Sequence, residues 1–340
     1  MRHANIAIFV PHLGCPQQCS FCEQRAITGR VQAPPPRAAD VEEAARAASA
    51  SLGERRRETE IAFFGGSFTA IQREYMLELL EAGAQAVARY GFRGIRCSTR
   101  PDAVGREVLD ILKAYPVTAV ELGAQSMDNG VLAANRRGHT AQDTARAAER
   151  LHEAGIELGL QMMTGLYKDT PEKTLRTAEA LIGLEPKTVR IYPTLVLPGT
   201  ELARLYEAGL YRPQSLEEAV ELCARLLERF QKAGAAVIRM GLHPGPELEQ
   251  RRLAGPYHPA FRQLVESRLF LYRLKKALGG PGRYRVEVNP REFSTALGQK
   301  RENLKRLAGA GYQVALAQAE AVPAGEFRVA AGPGVQKGAP

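Results

Sequence analysis

Three cysteines fall within eight residues, Cys15-Pro-Gln-Gln-Cys19-Ser-Phe-Cys22, in a C-x-x-x-C-x-x-C spacing. The chain has five cysteines in all, too few and too clustered for a disulfide framework, and such a cluster points to a metal centre. Zinc wants a fourth Cys or His; His12 precedes Cys15 by only two intervening residues. An iron–sulfur cluster held by three cysteines instead leaves one iron open for another ligand. Cys97 and Cys223, single and inside periodic segments, read as buried apolar side chains. With no second cysteine cluster, an auxiliary iron–sulfur site is not expected.

The elements that must hold this loop follow a strand-then-helix rhythm. The cysteines come directly after an apolar strand, Ile6–Val10, and a second strand, Glu60–Phe64, runs into Gly65-Gly66. Further strands are predicted at Gly94–Ser98, Val117–Leu122, Ile156–Met163, Thr188–Thr194 and Ala235–Met240, with helical spacing between them. That alternation means βαβ units and a parallel sheet, either a partial barrel or an open doubly wound sheet. A Pro/Gly-rich segment over 241–259 marks a boundary. A helix follows from Pro259, with Phe261, Leu264, Val265, Leu269 and Tyr272 on its apolar side and Arg262, Arg268, Arg273, Lys275 and Lys276 around the rest. Beyond it the pattern predicts a strand at Tyr284–Val288, a helix over Arg291–Leu307 and short strands at Gln313–Ala317 and Phe327–Ala330. The Gly/Pro-rich tail, 331–340, reads as disordered.

With 45% apolar and 24% charged residues over 340 positions, the chain can build a sizeable core. No apolar run reaches the roughly 18 residues of a membrane helix, and the N-terminal apolar stretch lacks a signal-peptide exit, so the expectation is a soluble, cytoplasmic protein with no membrane partner. The net charge of +9 is uneven: residues 241–340 hold 16 Lys+Arg and 8 Asp+Glu, leaving 30 and 29 for residues 1–240. A basic C-terminal segment on a neutral body fits a polyanionic partner.

The cysteine triplet, its aromatic Phe21 and its place after the first strand resemble the radical S-adenosylmethionine (SAM) superfamily. Between Ser98 and Tyr211 the resemblance narrows to the core of the catalytic subunit of Elongator. The segments that carry it are Ser98-Thr-Arg-Pro-Asp102, Glu121-Leu-Gly-Ala-Gln125-Ser126, Asn135-Arg-Arg-Gly-His139-Thr140, Ile191-Tyr-Pro-Thr194, Leu197-Pro-Gly-Thr200 and Leu205-Tyr-Glu-Ala-Gly-Leu-Tyr211. Oxygen-independent coproporphyrinogen oxidases share part of this pattern. Fewer than 110 residues follow the core, too few for the acetyltransferase domain of that subunit, so acetyl-CoA chemistry is not carried over.

The resemblance implies a partial (β/α)6 radical SAM barrel over 1–240, a small basic α+β extension over 241–330 and the tail. It implies a 4Fe-4S cluster on Cys15, Cys19 and Cys22, whose open iron chelates SAM. Cleavage of SAM would then give a 5′-deoxyadenosyl radical for hydrogen abstraction, with a reducing electron donor as partner. Phe21, Gly65, Gly66, Ser67, Ser98, Gln125, Arg137, Gln161 and Met163 would contact the cofactor. Ser67 and Ser98 stand where relatives carry Glu. His243 and His258 lie in the boundary segment, where they either close over the barrel mouth or serve structure. The expected substrate is RNA, most plausibly tRNA, held by the basic extension. Gly298-Gln-Lys-Arg301 lacks the second Gly of a KH-type clamp. The alternatives are an RNA-binding protein without turnover and a radical enzyme acting on a small metabolite or peptide.

Overall fold

The computed structural model describes residues 4–10, 15, 19–23, 34–242 and 245–331. Seven strands pair in the order in which they occur in the chain: β1 (Ala4–Val10), β2 (Thr59–Gly65), β3 (Gly94–Thr99), β4 (Val117–Gln125), β5 (Glu157–Thr164), β6 (Thr188–Pro193) and β7 (Ala236–Met240). Every neighbouring pair is parallel. A doubly wound sheet reverses its strand order at a switch point; this sheet never does, which selects the partial barrel of the two predicted architectures. The seventh strand falls where the sequence predicts its last one, at Ala235–Met240, and β1 and β7 are not paired to each other.

Helices between the strands start where hydroxyl side chains take up otherwise unsatisfied backbone N–H groups. Thr140, Thr170, Thr200 and Ser215 each accept from the backbone N–H three residues on, opening the helices Ala141–Glu153, Pro171–Ile182, Glu201–Glu207 and Leu216–Lys232. On the outer strand face Ile61, Phe63, Ile95, Val120 and Leu122 are fully buried, Phe63 and Ile95 against Gly83 of the helix Arg73–Tyr90.

The inner face is charged. Arg96 is 1% exposed and donates from Nε to Glu60 Oε2 at 2.7 Å and from Nη1 to Glu121 Oε1 at 3.3 Å. Arg190 donates from Nη2 to Glu121 Oε1 at 2.9 Å and lies 4.4 Å from the centre of the Phe64 ring. Glu121 on β4 thus reaches Arg190 on β6 across β5. That is possible because β5 offers Gly159 at this level, where a Cβ would stand 2.7 Å from Glu121 Cγ and 3.0 Å from Thr188 Oγ1. A contact that skips a strand requires a concave face, so these charges line the inside of the half-barrel.

By internal packing the chain divides into Met1–Ala219 with Arg229–Pro259, and Val220–Glu228 with Ala260–Pro340. The second unit carries the helix Phe261–Ala277 and a mixed sheet in the order β10 (Phe327–Ala331), β8 (Gly282–Val288), β9 (Tyr312–Gln318), over a core of Leu271, Leu274, Val286, Val288 and Leu307. β10 includes Ala331, so the predicted tail starts one residue later, and 332–340 lie outside the described residues. The single helix predicted over Arg291–Leu307 is broken into Phe293–Leu297 and Glu302–Gly309. Gly298, Lys300 and Arg301 between them take left-handed φ values of 71°, 50° and 61°, which no continuous right-handed helix accommodates.

Candidate active site

The cysteine loop follows β1, and among its described residues Ser20 anchors it. Ser20, 1% exposed, donates from Oγ to Asn135 Oδ1 at 2.8 Å and from its backbone N–H to Asn135 O at 3.2 Å, while its own carbonyl accepts from Leu202 N at 2.8 Å. Asn135 is fully buried and donates to the carbonyls of Val131 and Tyr167. The Cys22 N–H closes a turn onto Cys19 O at 3.1 Å. Asn135 and Ser20 are anchors that sequence reasoning missed as such; the signal was that Asn135 opens the motif containing Arg137.

Arg137 is 7% exposed, donating from Nη1 to Cys19 Sγ at 3.1 Å and from Nη2 to Gly123 O at 2.7 Å. Gly123 leaves room for it, since a Cβ there would meet Gln125 Nε2 at 3.0 Å and Arg137 Nη2 at 3.4 Å. Gln125 ends β4 in a left-handed conformation (φ 63°) and accepts a hydrogen bond from Gln161 Nε2 at 3.2 Å. A non-glycine residue held there is strained, and such strain concentrates at functional sites.

At the end of β2, Gly65 has φ 127° and its Cβ position lies 2.3 Å from Val10 O, so only glycine lets β2 leave the sheet so close to β1. Ser67, fully buried, spends its hydroxyl on Thr99 Oγ1 (2.8 Å) and on the Arg100 N–H (3.1 Å). Its main-chain N–H is the part that meets Cys15.

The Cys15 and Cys22 thiols resist ionising. Burial, then repulsion from Cys19, raises Cys15, with Arg100 and Arg137 acting the other way. Burial, then Cys19 and Cys15, pushes Cys22 up to about 12. Among the described residues no three His, Cys, Asp or Glu side chains stand as a preformed metal site. Yet the donor set fits an iron–sulfur cluster. Three thiols share one electrostatic neighbourhood, and the buried Arg137 Nε and Arg100 Nη1 have no hydrogen-bond partner among the described residues. Those donors suit a bound group richer in negative charge and acceptors than the thiols alone.

His139, 5% exposed, donates from Nε2 to Ala124 O at 3.3 Å. Burial, followed by the positive charge of Arg137, lowers it from 6.5 to about 4. The unfolded chain therefore takes up a proton here before the folded chain does. The contribution to stability is complete above about pH 6.5 and is lost as pH falls towards about 4, by about 3 kcal/mol. Urea unfolding at about pH 7 and about pH 4.5 checks this, and His139→Gln should flatten the difference.

The remaining sequence-predicted residues divide. Gln161 and Met163 share one face of β5 with half-buried side chains. Gly66 donates to Val10 O at 2.9 Å. Ser98, half-buried, pairs in register with Glu121. Phe21 packs against the cluster formed by Val196, Leu202, Ala203 and Tyr211. Thr194 is spent on Thr164 O, by both its N–H and its hydroxyl. His258 is half-buried, whereas His243 lies outside the described residues.

A family profile described as the Radical SAM superfamily matches residues 9–181, and one for the Radical_SAM C-terminal domain matches residues 186–270. The tRNA uridine(34) acetyltransferase of Methanocaldococcus jannaschii is 34% identical over 127 residues, covering 36% of this chain and 24% of that protein. Elongator complex protein 3 of Mus musculus is 30% identical over 200 residues, covering 52% of this chain and 36% of that protein. The chain thus spans between a quarter and about half of the length of the curated relatives it matches. The solved structure of the archaeal Methanocaldococcus infernus Elp3 matches with a TM-score of 0.60 at 22% identity, over 81% of this chain and 63% of that one, which establishes likeness of fold. With the first profile covering half of its length and the second most of the remainder to residue 270, the chain belongs to the radical SAM superfamily, a superfamily of enzymes.

Proposed function

We propose that this chain is a radical SAM enzyme whose cluster is held by Cys15, Cys19 and Cys22 and whose substrate is tRNA. When bound, that cluster supplies the electron that cleaves SAM to methionine and a 5′-deoxyadenosyl radical. The observation that carries the reading is the contact from Arg137 Nη1 to Cys19 Sγ, which ties the motif after β4 to the cysteine loop after β1. Arg137 holds negative charge at the thiols. Gly65 and Gly66, lacking side chains, would let a bound sulfonium amino acid approach the end of β2, and Gln125 with Gln161 would offer amide groups to its ribose. The helical layer excludes water from the rear of the strands.

The substrate class rests on the tRNA uridine(34) acetyltransferases among the relatives and on charge. The helix Phe261–Ala277 is a poorer RNA face than its sequence indicates. Arg268 is 6% exposed and pairs with Glu221 at 2.8 Å, and Arg273 is half-buried and engaged. Arg283, Arg285 and Arg328 are exposed instead and share one face of the three-stranded sheet, by the pairing of Arg328 with Glu287 and the alternation along β8. Replacing these three with Gln should weaken tRNA binding and lower its salt slope by about 2. Iron content should stay at the parent value. Filter binding over a salt series reads the slope, and an unchanged slope counts against this face.

Anaerobic reconstitution with SAM, a reductant and bulk tRNA tests the function. Release of 5′-deoxyadenosine that rises with tRNA, together with a modified nucleoside in the digest, is the expected result. Release indifferent to tRNA favours a small metabolite or peptide. Binding of tRNA without release favours an RNA-binding protein.

A further inference from the structure

Arg100 follows β3, and the sequence motif around it assigns it no role. It is 5% exposed, yet its partner Asp102 has a side chain 35% exposed. Asp102 takes two of its three guanidinium nitrogens, Nε at 2.9 Å and Nη2 at 2.7 Å. The third, Nη1, is buried with no hydrogen-bond partner. The main chain on either side is locked by a run of hydroxyls. Ser67 Oγ lies 2.8 Å from Thr99 Oγ1, which lies 2.6 Å from Thr69 Oγ1, and Thr69 donates to Ala103 O at 2.6 Å. Ser67 therefore fixes Arg100 with its side chain and meets Cys15 with its main chain. The positive charge of Arg100 is felt at both Cys15 and Cys19. The ion pair is a fixed dipole whose carboxylate is the more exposed end.

We propose that Arg100, oriented by Asp102, is the positioning residue that raises the reduction potential of the cluster bound at Cys15, Cys19 and Cys22. This rests on the cluster assignment above. A low-potential one-electron donor adds one electron and no proton, so one further negative charge appears beside three thiolates. Beside three thiolates that charge is costly, and a guanidinium that is itself buried and has an unused N–H offsets the cost. Arg137 shares the electrostatic task but divides its donors between Cys19 and Gly123 O. Among the described residues, Asp102 is the sole hydrogen-bond partner of the Arg100 guanidinium.

The two residues make opposite predictions. Arg100→Gln removes the cation and should move the midpoint to more negative potential. Asp102→Asn keeps the cation, removes its countercharge and should move it to less negative potential. An EPR-monitored titration with dithionite, on the anaerobically reconstituted full chain without SAM, reads both, with iron per chain assayed alongside. Opposite shifts at parental iron content support the proposal. Shifts of the same sign, or none, overturn it. An unchanged midpoint with weakened SAM binding also overturns it, by assigning Arg100 to the SAM carboxylate. If Arg100→Gln takes up no iron, Arg100→Lys decides: iron and midpoint near the parent support the charge, and iron lost again makes the residue structural and overturns it. A parent that takes up no iron overturns the cluster assignment, whereas failure at Arg100 alone leaves that assignment standing.

Discussion

Replacing Cys15, Cys19 and Cys22 together by alanine should leave a folded chain that takes up almost no iron, against about four irons per chain in the parent after anaerobic reconstitution. The fold should survive because none of the three thiols is part of the buried core. Cys15 is exposed, and Cys19 and Cys22 are half-buried. The loop is held instead by Ser20, through Asn135 and Leu202, and that anchor is untouched by the substitutions. Arg137 gives up its hydrogen bond from Nη1 to Cys19 Sγ but keeps the one from Nη2 to Gly123 O. Iron and sulfide analysis with far-UV circular dichroism measures both halves of the expectation. Stoichiometric zinc without iron in the parent would overturn it.

The second large effect is expected inside the half-barrel. Arg96→Ala should destabilise the protein by about 3–5 kcal/mol, because it takes from the buried Glu60 its closest cation and from Glu121 one of two. Glu60 is fully buried, and Arg93, 3.7 Å away and also paired with Glu157, is a longer and shared contact than the 2.7 Å bond from Arg96 Nε. Adding Glu60→Gln to Arg96→Met should recover a large part of the loss, since the pair is then removed rather than broken. Urea denaturation of the single and double variants measures the difference. A double variant as unstable as Arg96→Ala would show that the charge pair is not the source.

The parallel sheet is legible in the sequence because each strand is apolar on its helix side and most of the later helices start with a capping hydroxyl. The order of the strands is not, since spacing between elements is the same for a barrel and an open sheet. The inner charges illustrate a further limit. In a strand such as Thr59–Gly65, a charged residue alternating with apolar ones reads as facing solvent, and only the curl of the sheet turns Glu60, Arg96 and Glu121 inward. The cysteine spacing and the Asn135–His139 motif mark the candidate site from sequence alone. Arg100 and Ser20 escape notice because their roles depend on which atoms remain unpaired after folding. The break between Leu297 and Glu302 escapes for the opposite reason: apolar spacing continues through it, and the left-handed backbone at Lys300 and Arg301 has no composition signature.

Because the strands pair in chain order, every strand leaving the ribosome finds its neighbour already made, and the barrel can be built by accretion from β1 onwards. The three thiols are synthesised near the start of that process, but the residue that fixes their loop is Asn135, which emerges only after β4. A nascent chain halted between Cys22 and Asn135 thus presents all three thiols on a tethered but unanchored loop. If the proposed cluster assignment holds, loading with iron and sulfide belongs after the middle of the chain has been translated, and earlier thiol oxidation is a hazard for the growing polypeptide.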